Sequence, residues 1–182
     1  MQDHSDKDLL ILFRNPDQRN YAFNQIIRKY QERLYWHIRK MVVVHDDTDD
    51  LLQNTFLKAW NGLDNFREES QLYTWLYRIA TNESLSFLKE KRKKNFLPLV
   101  DVEKELSSNL ENDSYFSGDD LKLKLQKAIL KLPEKQRLVF NMRYFDEMKY
   151  DDMASILNTS TGALKASYHH AVKKIKNIMD PD

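Results

Sequence analysis

The sequence has no cysteine, only three glycines and four prolines, and no apolar run long enough to cross a bilayer. Each scarcity excludes something. Without cysteine there is no disulfide staple and no thiolate metal site, which fits a reducing cytoplasmic location. So little glycine and proline argues against a fold rich in strands and tight turns, and suits an all-α one. The start, Gln2-Asp3-His4-Ser5-Asp6, is polar and acidic and does not read as a secretory signal.

What is present suits helices that pack. With 182 residues, 41% of them apolar, the chain can bury one core or two small ones. The net charge of +1 hides an uneven distribution. Residues 1–94 sum to +2, residues 95–120 to −6 and residues 121–182 to +5. Basic ends around an acidic middle are expected of a nucleic-acid binder with a separate connecting segment, although ordinary charge scatter gives the same totals.

Helical periodicity is clear in the first part. Phe23, Ile26, Ile27, Tyr30 and Leu34 form one stripe, and Leu51, Leu52, Thr55, Phe56 and Ala59 a second. A third runs through Trp75, Leu76, Ile79, Ala80, Leu85 and Leu88. Asp47, Thr48 and Asp49 are N-cap candidates for the second helix, which Gly62 closes before a polar loop to Ser70. From Asn95 to Asp120 the period collapses into an acidic stretch with Pro98 and Gly118, read as a flexible linker. Leu97, Leu99, Val100 and Val102 near its start are candidates to dock on a partner.

Periodicity returns at Leu121. Leu121, Leu125, Ala128, Ile129 and Leu132 predict a helix ended by Pro133, and Glu134–Phe145 a second. Two more are expected at Tyr150–Leu157 and about Thr161–Ile178, joined by Asn158-Thr159-Ser160. The resulting division is 1–94, a linker at 95–120, and 121–182.

The last helix pair has the lengths of a helix-turn-helix, whose second helix fits the major groove of duplex DNA. Ser160 would cap that helix, Gly162 would allow close backbone approach, and Lys165, Ser167, His169, Lys173 and Lys174 are candidates for polar contact. The same spacing also describes two ordinary packed helices with a solvated lysine face. Upstream, Phe66, Tyr73, Trp75 and Tyr77 precede the run Lys89 to Lys94. Rings beside cations serve single-stranded nucleic acid by stacking and by following its backbone. Trp75 taken alone reads as a core residue, whereas the segment as a whole reads as a nucleic-acid surface.

The acidic cluster Asp46-Asp47-Thr48-Asp49-Asp50 is not a calcium loop. Its sixth and twelfth positions hold Leu51 and Leu57, where glycine and glutamate are needed. A charge cap or a contact for a basic partner remains. His169 and His170 are adjacent and diverge on a helix, so no metal or other cofactor is expected. No glycine-rich phosphate loop, cysteine nucleophile or Gly-x-Ser-x-Gly turn occurs, which argues against an enzyme.

In this order, the segments from about Phe23 to Lys176 resemble bacterial RNA polymerase sigma factors of the extracytoplasmic-function group. Asp49-Asp50-Leu51-Leu52-Gln53 with Phe56 and Trp60 resembles the family's second-region motif. The resemblance implies that Asp49, Asp50, Gln53, Phe56 and Trp60 bind core polymerase. Thr74 to Asn82 is similar to the promoter-melting segment. It implies that the loop Leu63–Ser70 and this helix engage the opened −10 strand through Asn65, Phe66, Arg67, Trp75, Arg78, Asn82, Lys89, Lys91 and Arg92. A base unstacked from the duplex would sit in a pocket near that loop. Leu132-Pro133-Glu134 and Tyr144-Phe145 look like the opening of the fourth region. By the same resemblance, Ser160, Thr161, Gly162, Lys165, Ser167, His169 and Lys173 face the −35 duplex.

The resemblance further implies an all-α fold of two small domains, an acidic linker that threads the polymerase cleft, and an anti-sigma partner, often membrane-bound; the linker's seven carboxylates either imitate RNA there or form a solubilising tether that needs no partner. No small-molecule ligand is implied. Some positions depart from the family: Ser86, Lys89 and Lys149, and in the last helix Ala163, Leu164, Ala166, Ser167 and His170. These bear on which promoter is read. Two other classes stand beside this one. A DNA-binding regulator that acts without polymerase leaves the Trp75 segment unemployed, and a protein-binding adaptor leaves the last helix unexplained.

Overall fold

A computed structural model describes residues 4–94, 107–110 and 119–180. Most of the expected linker, with Leu97, Leu99, Val100 and Val102, lies outside the described residues. Among those described, every regular element is helical.

Helix α1 (Asp6–Arg14) precedes the first apolar stripe read from the sequence. Its start is a capping box: the Ser5 hydroxyl accepts the Asp8 N–H, and the Asp8 carboxylate accepts the Ser5 N–H, each at 3.2 Å. Leu9, Leu10 and Phe13 point inward from it. Helix α2 (Arg19–Val42) is the long central element, burying Phe23, Ile26, Leu34 and Ile38.

The chain then reverses at once into α3 (His45–Gly62). Val43 makes the turn at φ 68°, with the Val44 N–H on the Val42 carbonyl at 2.8 Å. Positive φ is strained for a β-branched residue, by about 1–3 kcal/mol. Burial of the Val43 side chain beside Leu110 and Leu130 offsets it. Thus α3 starts earlier than the Asp47–Asp49 caps suggest. Val44 is its N-cap, and Asp46 and Asp47 fall in the first turn, where the helix dipole favours carboxylates. A 3₁₀ turn (Leu63–Asn65) leads to α4 (Leu72–Lys94).

In the second half, α5 (Asp120–Leu130) is capped by Asp119, whose side chain accepts the Leu121 and Lys122 N–H groups. It stops at Leu130, before the expected Leu132, and Pro133 becomes the N-cap of α6 (Glu134–Tyr144). Helices α7 (Tyr150–Leu157) and α8 (Thr161–Met179) follow, α8 one residue longer than expected.

The two halves do not stand apart. Leu138, Met142, Met153, Ile156 and Leu164 belong to the same apolar core as Ile26, Leu34, Ile38, Leu76 and Tyr77. A second, smaller core of Ala128, Ile129, Phe140, Ala171 and Ile175 holds α5, α6 and α8 together.

Candidate nucleic-acid interfaces

The loop between α3 and α4 is fixed from below by α1 and α2. Arg19 pairs with both carboxylate oxygens of Asp64 at 2.9 and 2.5 Å, and its guanidinium lies over the Phe13 and Trp60 rings. Arg14 holds Glu68 at 2.7 Å, and Glu68 itself sits at φ 57°. Asn65 and Arg67 project to solvent between these anchors.

Phe66 and Trp75 fill a different role from the one their sequence context suggests. Phe66 is buried, with its ring 5.1 Å from that of Trp75. The six-membered ring of Trp75 also meets Gly62, where an added Cβ would lie 3.1 Å from Cζ2. The two rings therefore brace the loop against α4. They are not open stacking platforms in this arrangement.

Along α4 the polar candidates fall into two groups. Asn82 and Lys89 are exposed. The others are engaged within the chain. Arg78 donates to the Ser155 carbonyl at 2.9 Å and its hydroxyl at 2.7 Å. Lys91 lies 3.6 Å from Asp47, and Arg92 lies 2.9 Å from Glu134. Tyr73, beside them, donates its hydroxyl to Asp152. Burial, and then this bond, raise the Tyr73 phenol above its ordinary pKa and keep it a donor.

Helix α3 divides its candidates by face. Asp49, Asp50 and Gln53 are exposed. Phe56 and Trp60 turn inward, packing on Phe23 at centroid distances of 6.3 and 5.0 Å. Both support the helix, Phe56 buried and Trp60 half-buried. Leu57, which the sequence reading passed over, is 55% exposed on the same side as Asp50, Gln53 and Asn54. The i, i+3, i+4, i+7 spacing was the available signal.

At the other end, Asn158 takes the left-handed conformation at φ 49° and closes α7. The Ser160 hydroxyl then accepts the Ala163 N–H at 3.2 Å and starts α8. Leu164, Ala171 and Ile175 face the core, and Tyr168 stacks on Phe140 at 5.8 Å. Lys165, His169 and Lys173 form an exposed row on the outer face, with Thr161 and Ser167 half-buried at its flanks. An added Cβ at Gly162 would meet nothing within 4 Å, so no packing within the chain requires glycine there. Among the described residues, no group of three or more His, Asp or Glu could hold a metal ion, and no helix is long and apolar enough to cross a membrane.

Comparison with known proteins matches two family models in the same order. Residues 26–94 match "Sigma-70 region 2", and residues 122–175 match "Sigma-70, region 4". The chain is 28% identical to the ECF RNA polymerase sigma-E factor of Escherichia coli (strain K12), over 88% of this chain and 87% of the relative. It is also 28% identical to the RNA polymerase sigma-H factor of Pseudomonas aeruginosa, over 97% and 94%. Among solved structures, it resembles CnrH in complex with the cytosolic domain of CnrY (TM-score 0.70, 22% identity, 97% and 99% covered). RpoE in complex with the anti-sigma factor NepR, from Bartonella quintana, is similar in fold as well (TM-score 0.68, 22% identity, 88% and 98% covered).

Proposed function

The chain belongs to the bacterial RNA polymerase sigma factors, in their extracytoplasmic-function group, and we propose how its surfaces divide the work of initiation. The outer row of α8, with Gly162 at its start, enters the −35 major groove, where Lys165, His169 and Lys173 meet bases and phosphates. The Leu63–Ser70 loop and the polar side of α4 take the opened −10 strand, using Asn65, Arg67, Arg78, Asn82 and Lys89. The exposed side of α3, Asp49, Asp50, Gln53 and Leu57, docks on core polymerase. Phe56, Trp60, Phe66 and Trp75 shape these surfaces from beneath. The units are residues 1–94 and 121–182, joined by the acidic segment 95–120.

The chain is a non-catalytic subunit acting in the cytoplasm, and nucleotide chemistry belongs to the polymerase. An anti-sigma protein is a further partner, since a neighbour of the same fold was solved with one. The observation that carries this reading is the exposed basic row on a capped α8, joined in one chain to an α3 that presents carboxylates outward.

Reconstitution tests it. Purified chain, core polymerase and genomic fragments from the source organism are expected to give promoter-specific transcripts that depend on the chain. Tight duplex binding that ignores polymerase, with no such transcripts, overturns it in favour of a free-standing regulator.

A further inference from the structure

A cavity of about 450 Å³ opens between α2, α5 and the turn after α6. None of the residues assigned above to DNA or to polymerase lines it. Three rings of different origin do: Trp36 of α2, Tyr77 of α4 and Phe145. Tyr77 is 1% exposed, and burial, then the Asp146 charge, raise its phenol above the ordinary value, so the hydroxyl stays protonated. Trp36 and Phe145 are half-buried. Rings that converge on one concavity, with a few charged groups around them, are the composition of a small-molecule site.

The charged groups decide what such a molecule can be. Asp146 is clasped between His37 Nδ1 at 3.1 Å and Lys40 Nζ at 2.9 Å, so its charge and that of Lys40 offset each other. The remaining charges of the lining are Arg33 and Lys122 against Glu32 and Glu147. Two of each sign leave no net charge. A polyphosphate or a polyamine would meet as much repulsion as attraction here, whereas a zwitterion finds a partner for each end.

Glu147 carries a second sign of use. Its backbone sits at φ 51°, a conformation that glycine takes freely and glutamate does not. The turn is held by the Met148 N–H on the Met142 carbonyl at 3.0 Å, and the Glu147 side chain is exposed. Packing therefore does not select a carboxylate at this position. Residues kept in such conformations cluster at ligand sites.

We infer that this cavity binds a zwitterionic small molecule with a planar apolar side group, of the class of an aromatic amino acid. Trp36 and Phe145 hold the ring, Arg33 and Lys122 the carboxylate, and Glu32 and Glu147 the ammonium. The site is independent of the surfaces assigned to promoter and polymerase.

The test uses the full chain with L-phenylalanine as probe, followed by calorimetry and ligand-observed NMR. Saturable one-to-one binding is expected, with Kd of about 1 mM or tighter. Phenethylamine lacks the carboxylate and 3-phenylpropionate lacks the ammonium, and each should bind about tenfold more weakly. Arg33→Gln should weaken phenylalanine about tenfold and leave phenethylamine unchanged. Glu147→Gln should weaken phenylalanine equally and leave 3-phenylpropionate unchanged. The unchanged probe shows in each case that the cavity is intact. Lys122→Gln and Glu32→Gln repeat the pair should either variant fail to fold. Lys124→Gln and Asp120→Asn, outside the cavity, should bind all three probes as wild type does. No saturable binding by about 10 mM phenylalanine overturns the inference, as does equal affinity for the three probes. Tighter binding of adenosine monophosphate or spermidine than of phenylalanine also overturns it, in favour of an anion or a polycation site.

Discussion

The six-membered ring of Trp75 packs against the position where Gly62 has no side chain, and the Phe66 ring lies 5.1 Å from that of Trp75. The consequence for Gly62→Ala is a contest between two terms. Alanine favours a helix over glycine by about 1 kcal/mol. An added methyl 3.1 Å from a rigid indole forces a shift in a packed site, which costs about 1–3 kcal/mol. The indole has little room to move because the Phe66 ring packs against it. The expected outcome is a net loss of about 1 kcal/mol in urea unfolding, and a gain would show that Trp75 moves aside.

Leu57 is the clearest surface prediction. At 55% exposed it contributes little to the fold, so Leu57→Ser should change unfolding free energy by less than about 0.5 kcal/mol. If the outer face of α3 docks on polymerase, the same change removes an apolar anchor from that interface. Affinity for core polymerase in a competition assay is then expected to fall about tenfold, a loss of about 1–2 kcal/mol. Equal affinity would place the docking surface elsewhere.

Helices with a long apolar stripe were legible in the sequence because period and caps agree. The connection Asn158-Thr159-Ser160 and the Ser160 cap place α8 to within a residue. Helix α1 escaped because it is short and its box closes with Asp8, where Glu or Gln is the common signal. The inward turn of Phe56, Trp60 and Phe66 was also hidden. An aromatic on an amphipathic helix reads the same whether it caps a core or faces a partner, and only the rings of Phe13 and Phe23 across the bundle decide. The clasp of Asp146 on His37 joins residues 109 apart in sequence, a separation at which periodicity carries no information.

Asp146, held between His37 and Lys40 of α2, gives the packing of the two halves a pH dependence. Burial pushes its carboxyl up, but the His37 bond and charge and the Lys40 charge and bond outweigh it and hold the group below its ordinary 3.8. A carboxyl lowered in the folded state stabilises that state fully above its ordinary pKa, and the contribution is lost as pH falls through the lowered value. The stability that this carboxyl contributes to unfolding should therefore hold steady from pH 7 to about 5 and fall below about 4. Asp146→Asn should remove that carboxyl's part of the acid transition. An identical acid profile in the variant would assign the transition to other carboxylates.

The row on α8 makes a prediction about salt. Lys165, His169 and Lys173 are exposed and spaced one turn apart, so they follow a groove edge in register. A lysine on a phosphate releases condensed counterion, and each such contact contributes about 0.9 to the slope of log affinity against log salt. With holoenzyme on a −35-containing duplex, Lys165→Gln with Lys173→Gln should flatten the slope by about 1–2 and weaken binding most at low salt. The fold should be unaffected, because neither side chain contributes to the Leu164–Ala171–Ile175 face. If affinity fell equally at all salt concentrations, the lysines would be reading base edges. An unchanged slope and affinity would take the duplex away from this face of α8.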